Sequence, residues 1–476
     1  MTRYEAVIGL ECHAQLLTHS KLFCSCSTRF GDPPNMNTCP VCLGLPGALP
    51  VLNRSAVALA VKAALGLNCK VNALSQWARK HYFYPDLPKG YQITQYDRPL
   101  AVDGSIGKVR VERIHIEEDA GRSLHEGFPD SDKYTFLDFN RSGVPLIEIV
   151  SCPDIRSSDE AVDCLARLKE ILEYLDVCDG NMEEGSLRCD ANVSVRPAGE
   201  AKFGTRTEVK NINSFRFVRK AIDFEVHRQI EAIESGERVV QETRLWNSNT
   251  ERTVSMRGKE EAHDYRYFPE PDLPPLLIDD DTVKNAQRSI TEMPEARRER
   301  FVRDYALSGY DAQVLTATRA LSDFFEETVR SSGQPKLAAN WIMGDLLRSC
   351  KDSGQDLKDL SRSAVSPAML GELIRLVETG AISGKTAKTV FDEMTRTGKP
   401  PAAIVEEKGL FRISDPDEIE RLVDRVTAEN AKTVEQYRAG KTGAFGFFVG
   451  RVMELSGGRA DPSKVDDALR KKLAGR

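Results

Sequence analysis

The hydrophobic pattern of this chain changes once, near Met293, and that change limits the folds open to it. Before it, apolar residues alternate or gather in short runs bounded by Gly, Pro and Asn, which is strand sequence with a few helices between. After it the spacing is helical, with P-E-A-R-R-E-R-F from Pro294 and S-P-A-M-L-G-E-L-I-R-L-V from Ser366 as helix starts. A second break, G-K-P-P at Gly398 to Pro401, divides the helical part. The expectation is an α+β protein: a β-rich domain over 1–292, a helical domain over 293–400 and a helical tail over 401–476. A chain of 476 residues is long enough for about two to four such domains.

Acids sit on the strands of the first part in a repeated way. Tyr4 to Leu16 reads as a strand with Glu11 and His13 on one face. Arg113 to Arg122, R-I-H-I-E-E-D-A-G-R, puts His115, Glu117 and Asp119 on one face and Glu118 on the other. Just upstream, Val109 and Val111 share one parity and Ile114 and Ile116 the other, which predicts a bulge. In M-E-E-G-S-L-R-C-D-A-N-V-S-V-R, Asp190 and Asn192 point away from a core built on Ala191, Val193 and Val195, after an acidic turn at Glu183 and Glu184. A following strand places Glu208 and Lys210 together. Any one of these fits a solvated strand end. Their recurrence in one domain fits a cation site, and carboxylates with one imidazole and one amide suit magnesium holding phosphates better than zinc.

Four cysteines make a different pattern. Cys24, Cys26, Cys39 and Cys42 form C-x-C…C-x-x-C around a Gly/Pro/Asn loop, the spacing of a closed tetrahedral zinc site with a structural role. Reduced buried thiols are the alternative. The loop K-H-Y-F-Y-P-D-L-P-K-G-Y-Q offers Lys80 and Lys89 to phosphate and Tyr82, Tyr84 or Tyr91 to a base; a Pro-braced surface loop reads equally well. D-Y-R-Y-F-P-E-P-D-L-P-P repeats the mixture of aromatics, Arg, acids and Pro.

Other features exclude more than they assign. No apolar run approaches the roughly 20 residues of a membrane span, and an acid interrupts the N-terminal apolar stretch, so a cytoplasmic protein without a membrane anchor is expected. There the eleven cysteines are thiols or ligands. A net charge of -6 argues against bulk nucleic-acid coating. The tail, Glu435 to Arg476, nonetheless carries nine Lys or Arg against five Asp or Glu. Its G-K-T-G-A-F-G-F-F-V-G-R, with Lys441 and Arg451, suits a nucleic-acid backbone, though a basic face also serves solubility. Gly384-Lys385-Thr386 and Gly440-Lys441-Thr442 lack the first glycine of a P-loop, since Thr379 and Glu435 stand there.

Five ordered motifs resemble one known family. G-L-E-C-H at Gly9 to His13, Y-P-D-L-P-K-G-Y-Q at Tyr84 to Gln92, H-I-E-E-D-A-G at His115 to Gly121, M-E-E-G-S-L-R-C-D-A-N at Met182 to Asn192 and D-Y-R-Y-F-P-E-P-D at Asp264 to Asp272 are similar to the B subunit of glutamyl/aspartyl-tRNA amidotransferase, GatB. The resemblance runs essentially end to end. It implies a β-rich cradle with a kinase and transamidase site, a helical domain and a tRNA-gripping tail. It implies ATP-dependent phosphorylation of the side-chain carboxylate of Glu on glutamine tRNA or Asp on asparagine tRNA, then amidation by ammonia. The ammonia would come from a separate amidase subunit (GatA), and a small subunit (GatC) would complete a heterotrimer acting on mischarged tRNA. By matching motifs, Glu11, His13, Glu118 and Asp190 would be catalytic, as magnesium ligands or metal-orienting groups. Glu117, Asp119, Glu184 and Asn192 would support them, and Lys89 or Arg266 would steady phosphate. The family differs in whether it carries the zinc cysteines, and this chain has all four. A non-catalytic tRNA-binding scaffold is the alternative function. Strand parity groups His115, Glu117 and Asp119, whereas the family match singles out Glu118.

Overall fold

Alternation in Y-E-A-V-I-G-L-E-C-H-A-Q produces the central strand β1, Tyr4–Gln15, with Ile8, Leu10, Cys12 and Ala14 buried on one face. A one-residue slip would bury Glu11 and His13 in that core, so the register is strongly specified. The computed structural model describes residues 3–125, 127–257, 265–290 and 292–474. Asp264, the first residue of the last family-like motif, lies outside the described residues.

The strands that follow in the first half are β2 (Lys70–Val71), β3 (Leu74–Ser75), β4 (Trp77–His81), β5 (Tyr91–Gln95), β6 (Ala101–Ile106), β7 (Val109–Glu118), β8 (Arg122–Leu124) and β9 (Phe136–Asp138). Then come β10 (Pro145–Ser151), β11 (Leu187–Pro197), β12 (Thr207–Lys210), β13 (Thr243–Asn247), β14 (Arg252–Arg257), β15 (Phe268–Pro269) and β16 (Leu276–Leu277). Nine of them form one sheet in the order β14-β13-β12-β11-β1-β10-β7-β6-β2, antiparallel except for the β12–β13 pair. A three-stranded sheet, β15-β4-β5, adjoins the end of β7. Helices α1 (Arg54–Gly66), α2 (Ser158–Tyr174) and α3 (Phe215–Glu234) supply the other side of the core, where Ala60, Leu165 and Ile222 join Ile8, Leu10 and Val193. Helix α4, Asp280–Ser289, packs on α1.

Local signals explain the helix ends. Ser157 caps α2 through Glu160 N at 3.1 Å, while the Glu160 carboxylate accepts from Arg156 N at 2.8 Å, one residue earlier than in a strict capping box. Gly66, which looks like a helix stop, is required instead by close approach: a Cβ there would stand 2.4 Å from Leu175 Cδ1, and the left-handed residue is Asn68. The bulge expected near Val111 is present. Opposite β10, Val150 pairs with Arg113 and Ser151 with Val111, so Glu112 is the extra residue.

The chain divides into two compact units, Met1–Met293 and Pro294–Arg476. The second consists of α5 (Pro294–Tyr305), α6 (Gly309–Leu315), α7 (Arg319–Ser332), α8 (Pro335–Trp341), a π-helical turn (Ile342–Leu346) and α9 (Leu347–Ser353). It continues with α10 (Pro367–Glu378), α11 (Gly384–Thr397), α12 (Pro401–Glu407), α13 (Pro416–Glu429), α14 (Ala431–Arg438), α15 (Ala444–Leu455) and α16 (Pro462–Leu473). It contains two apolar clusters, one around Phe301, Phe325 and Phe391 and one around Val423, Phe448 and Leu469. Ile404 and Val405 of α12 belong to the first and Leu410 packs against it, while Ile413 belongs to the second. Among the described residues no helix is long and apolar enough to cross a membrane.

Candidate active site

The face of the large sheet opposite its helices carries the acids. In β1–β11 register, Glu11 lies across from Asp190 and His13 from Arg188; on the other side His13 lies across from Glu148, and Glu148 from His115. Arg188, His13, Glu148 and His115 thus form one row over four strands, all on the parity that leaves Leu10, Cys12, Ile147, Ile116 and Cys189 in the core. His13 Nε2 is 3.9 Å from Glu11, 3.7 Å from Glu117 and 3.4 Å from Glu148. His115 Nε2 is 3.2 Å from Glu148 and 3.6 Å from Glu117. Two groups here bring every ligand atom within 4.8 Å of the others: Glu11, His13 and Asp190, and His13, Glu117 and Glu148. They share His13.

Cations border the group. Lys210 Nζ contacts Asp190 at 2.7 Å and Glu208 at 3.0 Å. Arg188 donates to Asp119 at 3.0 Å, and Gln15 Nε2 reaches the same oxygen at 2.9 Å. Thr94 Oγ1 of β5 donates to Glu117 at 3.1 Å. Lys80 of β4 lies 4.9 Å from the Tyr265 ring centroid, in an aromatic surround that includes Tyr82 and Tyr267.

Burial opposes charge on both imidazoles, yet hydrogen bonding to Glu148 and its charge outweigh burial at His13 and raise its pKa. His115 is likewise pushed up, to about 9, by Glu148 and Glu117 against burial. Glu148 is held well below the ordinary carboxylate range, since the two imidazoles overcome its burial. Burial opposes the Lys80 charge, but Glu117, Tyr267 and Glu148 raise its pKa. Glu11 goes the other way: burial, then the Glu148 carboxylate, keeps its proton on to higher pH. His13 and Lys210 pull the Glu11 pKa back down, and the carboxylates of Glu11 and Asp190 with the His13 imidazole between them are a donor set a hard divalent cation fits.

Glu118 is not in this group. Alternation is regular from Ile114 onward, so Glu118 leaves β7 on the core side, where it pairs with Lys89 and accepts from Ile93 N at 2.9 Å. The bulge lies upstream and does not turn it back. The expected magnesium ligation by Glu118 together with Glu11, His13 and Asp190 therefore does not match the geometry; Glu117 and Glu148 occupy that place. Lys89, committed to Glu118, stands away from the acidic face as well. Glu184 is exposed in its turn, and its carbonyl rather than its carboxylate is engaged, by Arg122 at 3.2 Å. Arg266 is exposed with φ 42°, and its carbonyl lies 3.2 Å from His81 Nδ1. Asp119 adjoins the group through Gln15 and Arg188, and Asn192 shares the Asp190 face opposite Gly9 and Glu208. In the helical unit Lys441 and Arg451 are at the surface, Arg451 paired with Glu454 at 2.6 Å.

Three contributors escaped the sequence reading: Glu148, Arg188 and His115 as a partner of both acids. Glu148 had a signal, a lone acid inside the apolar strand P-L-I-E-I-V, and Arg188 shares parity with Asp190.

The cysteines converge. The sulfurs of Cys24, Cys26, Cys39 and Cys42 all lie within 4.8 Å of one another, and the Cys39–Cys42 pair is 3.9 Å apart. A tetrahedron with Zn–S bonds of about 2.3 Å has edges of about 3.8 Å, so the spacing fits. A hydrogen bond from Cys24, aided by the buried Lys21 ammonium, lowers the Cys42 thiol to about 4, while the same contact raises Cys24 and burial raises Cys26 to about 11, so without metal one thiol of the four is favoured as thiolate.

A sheet face of clustered carboxylates and imidazoles and a four-thiol loop in one unit, followed in the chain by a helical unit, define a two-part protein with two candidate metal centres. Residues 6–284 match the GatB/GatE catalytic domain and residues 323–473 the GatB domain. The chain is similar to the B subunit of the aspartyl/glutamyl-tRNA(Asn/Gln) amidotransferase of Geotalea uraniireducens, 55% identical over 481 residues, covering 99% of this chain and 100% of the relative. It is 55% identical over 480 residues to that of Geobacter sulfurreducens, with 99% and 100% covered, and 52% over 482 residues to that of Carboxydothermus hydrogenoformans, with both covered in full. The chain belongs to the GatB family.

Proposed function

We propose that the chain is the tRNA-directed subunit of an aspartyl/glutamyl-tRNA amidotransferase. It activates the side-chain carboxylate of Glu on glutamine tRNA, or Asp on asparagine tRNA, with ATP and then amidates it. A carboxylate is a poor acyl donor; moving the γ-phosphoryl group onto it releases ADP and creates a leaving group, and ammonia then displaces phosphate to form the amide. The nitrogen comes from glutamine through a partner amidase subunit, with a small third subunit completing the assembly, and the tail with Lys441 and Arg451 holds tRNA.

The observation that carries this reading is the convergence of Glu11, His13 and Asp190, with Glu117 and Glu148 beside them, on one sheet face. Glu11, His13 and Asp190 would hold magnesium, and the ion would offset phosphate charge there. Glu148 and Glu117 orient His13, Arg188 fixes Asp119, and Lys80 provides a cation at the rim for a phosphate oxygen. The four cysteines would hold zinc in a closed, structural site. The test is magnesium-dependent ATP hydrolysis and amide formation with mischarged tRNA. Glu11→Ala and His13→Ala should remove both while tRNA binding persists. Intact hydrolysis in both variants would return the chain to the role of a binding scaffold.

A further inference from the structure

We infer that the four-cysteine loop is the element that holds Lys89 on Glu118, so that metal on the cysteines governs whether this ion pair stays closed. The inference rests on the zinc reading above. Gly44, two residues after Cys42, has φ 65°, and a Cβ built there would stand 2.5 Å from Lys89 Cγ and 3.1 Å from its Cα. No side chain fits between them, so the loop backbone lies directly on the lysine stem. A second glycine lies beside the acid at ordinary van der Waals distance. Gly143, φ 87°, would place a Cβ 3.5 Å from Cys42 Cβ and 3.9 Å from Glu118 Oε2. Lys89 and Glu118 line a cavity of about 120 Å³ whose wall also includes Cys24, Cys42 and Gly44.

What fixes that wall is the joining of two segments. The turn bearing Gly44 is bonded mostly to itself, by Leu43 N to Cys39 O at 3.1 Å, Gly44 N to Val41 O at 3.0 Å and Leu45 N to Pro40 O at 2.9 Å, with one longer bond from outside, Ser142 Oγ to Cys42 O at 3.3 Å. The segment bearing Cys24 and Cys26 is anchored, since Lys21 N donates to Cys26 O at 3.0 Å and Leu22 N to Gly143 O at 2.8 Å. One ion ligated from both segments fastens the turn to the anchored strand end. Without it the turn can lift, water reaches Lys89, and a buried ion pair that depended on exclusion of water loosens.

The test is lysine labelling of the full-length, zinc-loaded protein. Reductive methylation followed by peptide mass spectrometry measures access to Lys89, and metal content is measured on the same samples. Removing zinc with a high-affinity chelator should speed Lys89 modification about tenfold or more, the change expected of a local opening. In parallel samples treated with iodoacetamide, Cys12 and Cys189, buried in β1 and β11, should stay unalkylated, which separates local opening from unfolding. Gly44→Ala should expose Lys89 while its zinc remains bound. Bound zinc whose removal leaves Lys89 protected would overturn the inference alone, as would protection in zinc-bound Gly44→Ala. Failure to bind zinc at all, with Lys89 protected throughout, would overturn the zinc reading and the inference together.

Discussion

Replacing Arg79 by Leu should release the segment from Tyr265 to Leu277 without unfolding the sheet domain. This segment joins the domain through short stretches of backbone: β15 pairs Phe268 and Pro269 with β4, β16 pairs Leu276 and Leu277 with β3, and His81 N to Tyr265 O and Glu270 N to Trp77 O add one bond each at 2.9 Å. The fork of Arg79 does the rest. Its Nε donates to Glu270 Oε2 at 2.7 Å and one terminal nitrogen, Nη2, to both Glu270 Oε1 at 2.8 Å and Asp272 Oδ2 at 3.2 Å, while the guanidinium lies 4.1 Å from the Tyr91 ring centroid. Glu270 is buried, so losing Arg79 strands a charge. Breaking such a pair costs about 3–5 kcal/mol when both partners are buried, and with the Arg79 side chain 18% exposed about 2–4 kcal/mol is the better range. At about 3 kcal/mol the open state becomes on the order of 100-fold more populated. Hydrogen exchange of the amides between residues 265 and 277 measures this directly. Arg79→Lys should fall between, because an ammonium keeps the charge but not the fork. Tyr265 and Tyr267 surround Lys80, so ATP hydrolysis should decline with protection. Exchange in Arg79→Leu within about twofold of wild type would show that packing of Phe268 and Pro269, not the ion pair, holds the segment.

The other predictions concern separate parts of the chain. In the helical unit, burial opposes the Glu326 charge, but Arg300 and Arg297 lower its pKa from 4.5 to about 2. The folded value is depressed, so its contribution is complete above pH 4.5 and is lost as pH falls toward 2; thermal melts should show about 1–2 kcal/mol lost over that window in wild type and not in Glu326→Gln. Gly104→Ala should cost about 2–3 kcal/mol in denaturant melts, because a Cβ there meets Cys69 Sγ at 2.2 Å and the Leu67 carbonyl at 2.6 Å, and the carbonyl cannot turn away. Lys441→Glu with Arg451→Glu should weaken tRNA binding and reduce the slope of log K against log salt by roughly one per lost phosphate contact; an unchanged slope assigns the basic tail to solubility.

How much of this was legible depends on range along the chain. Faces of single strands were readable, since period two is set by the backbone itself: Glu11 with His13, His115 with Glu117, and Asp190 with Asn192 all share the sides that alternation gives them. The thiol site was readable because its ligands come as two close pairs. Glu148 was not, because its role exists only through pairing β10 between β1 and β7, and nothing local in P-L-I-E-I-V names its neighbours. The choice of Lys80 over Lys89 was hidden for the same reason, since Lys80 is delivered by a second sheet at the end of β7.

Glu117 and Glu118 show why adjacency in sequence is a poor guide to shared chemistry. They leave the same strand end on opposite sides, Glu117 toward His13 and Glu148, Glu118 toward Lys89 and the cysteine loop. Motif matching treats E-E-D as one unit and weights Glu118 with the cation group; alternation separates the pair, and alternation prevails because the core on either flank fixes it. Ile114 and Ile116 are buried, and turning β7 over to bring Glu118 to the acids would expose both, at about 1.5–3 kcal/mol each, while driving His115 and Glu117 into the apolar layer. The extra residue Glu112 lets Val111 and Ile114 both reach that layer in one strand. Burial of Ile114 and Ile116 therefore sets which carboxylate faces each site, the bulge lets Val111 keep its own place in the core, and two neighbouring acids become parts of two different devices.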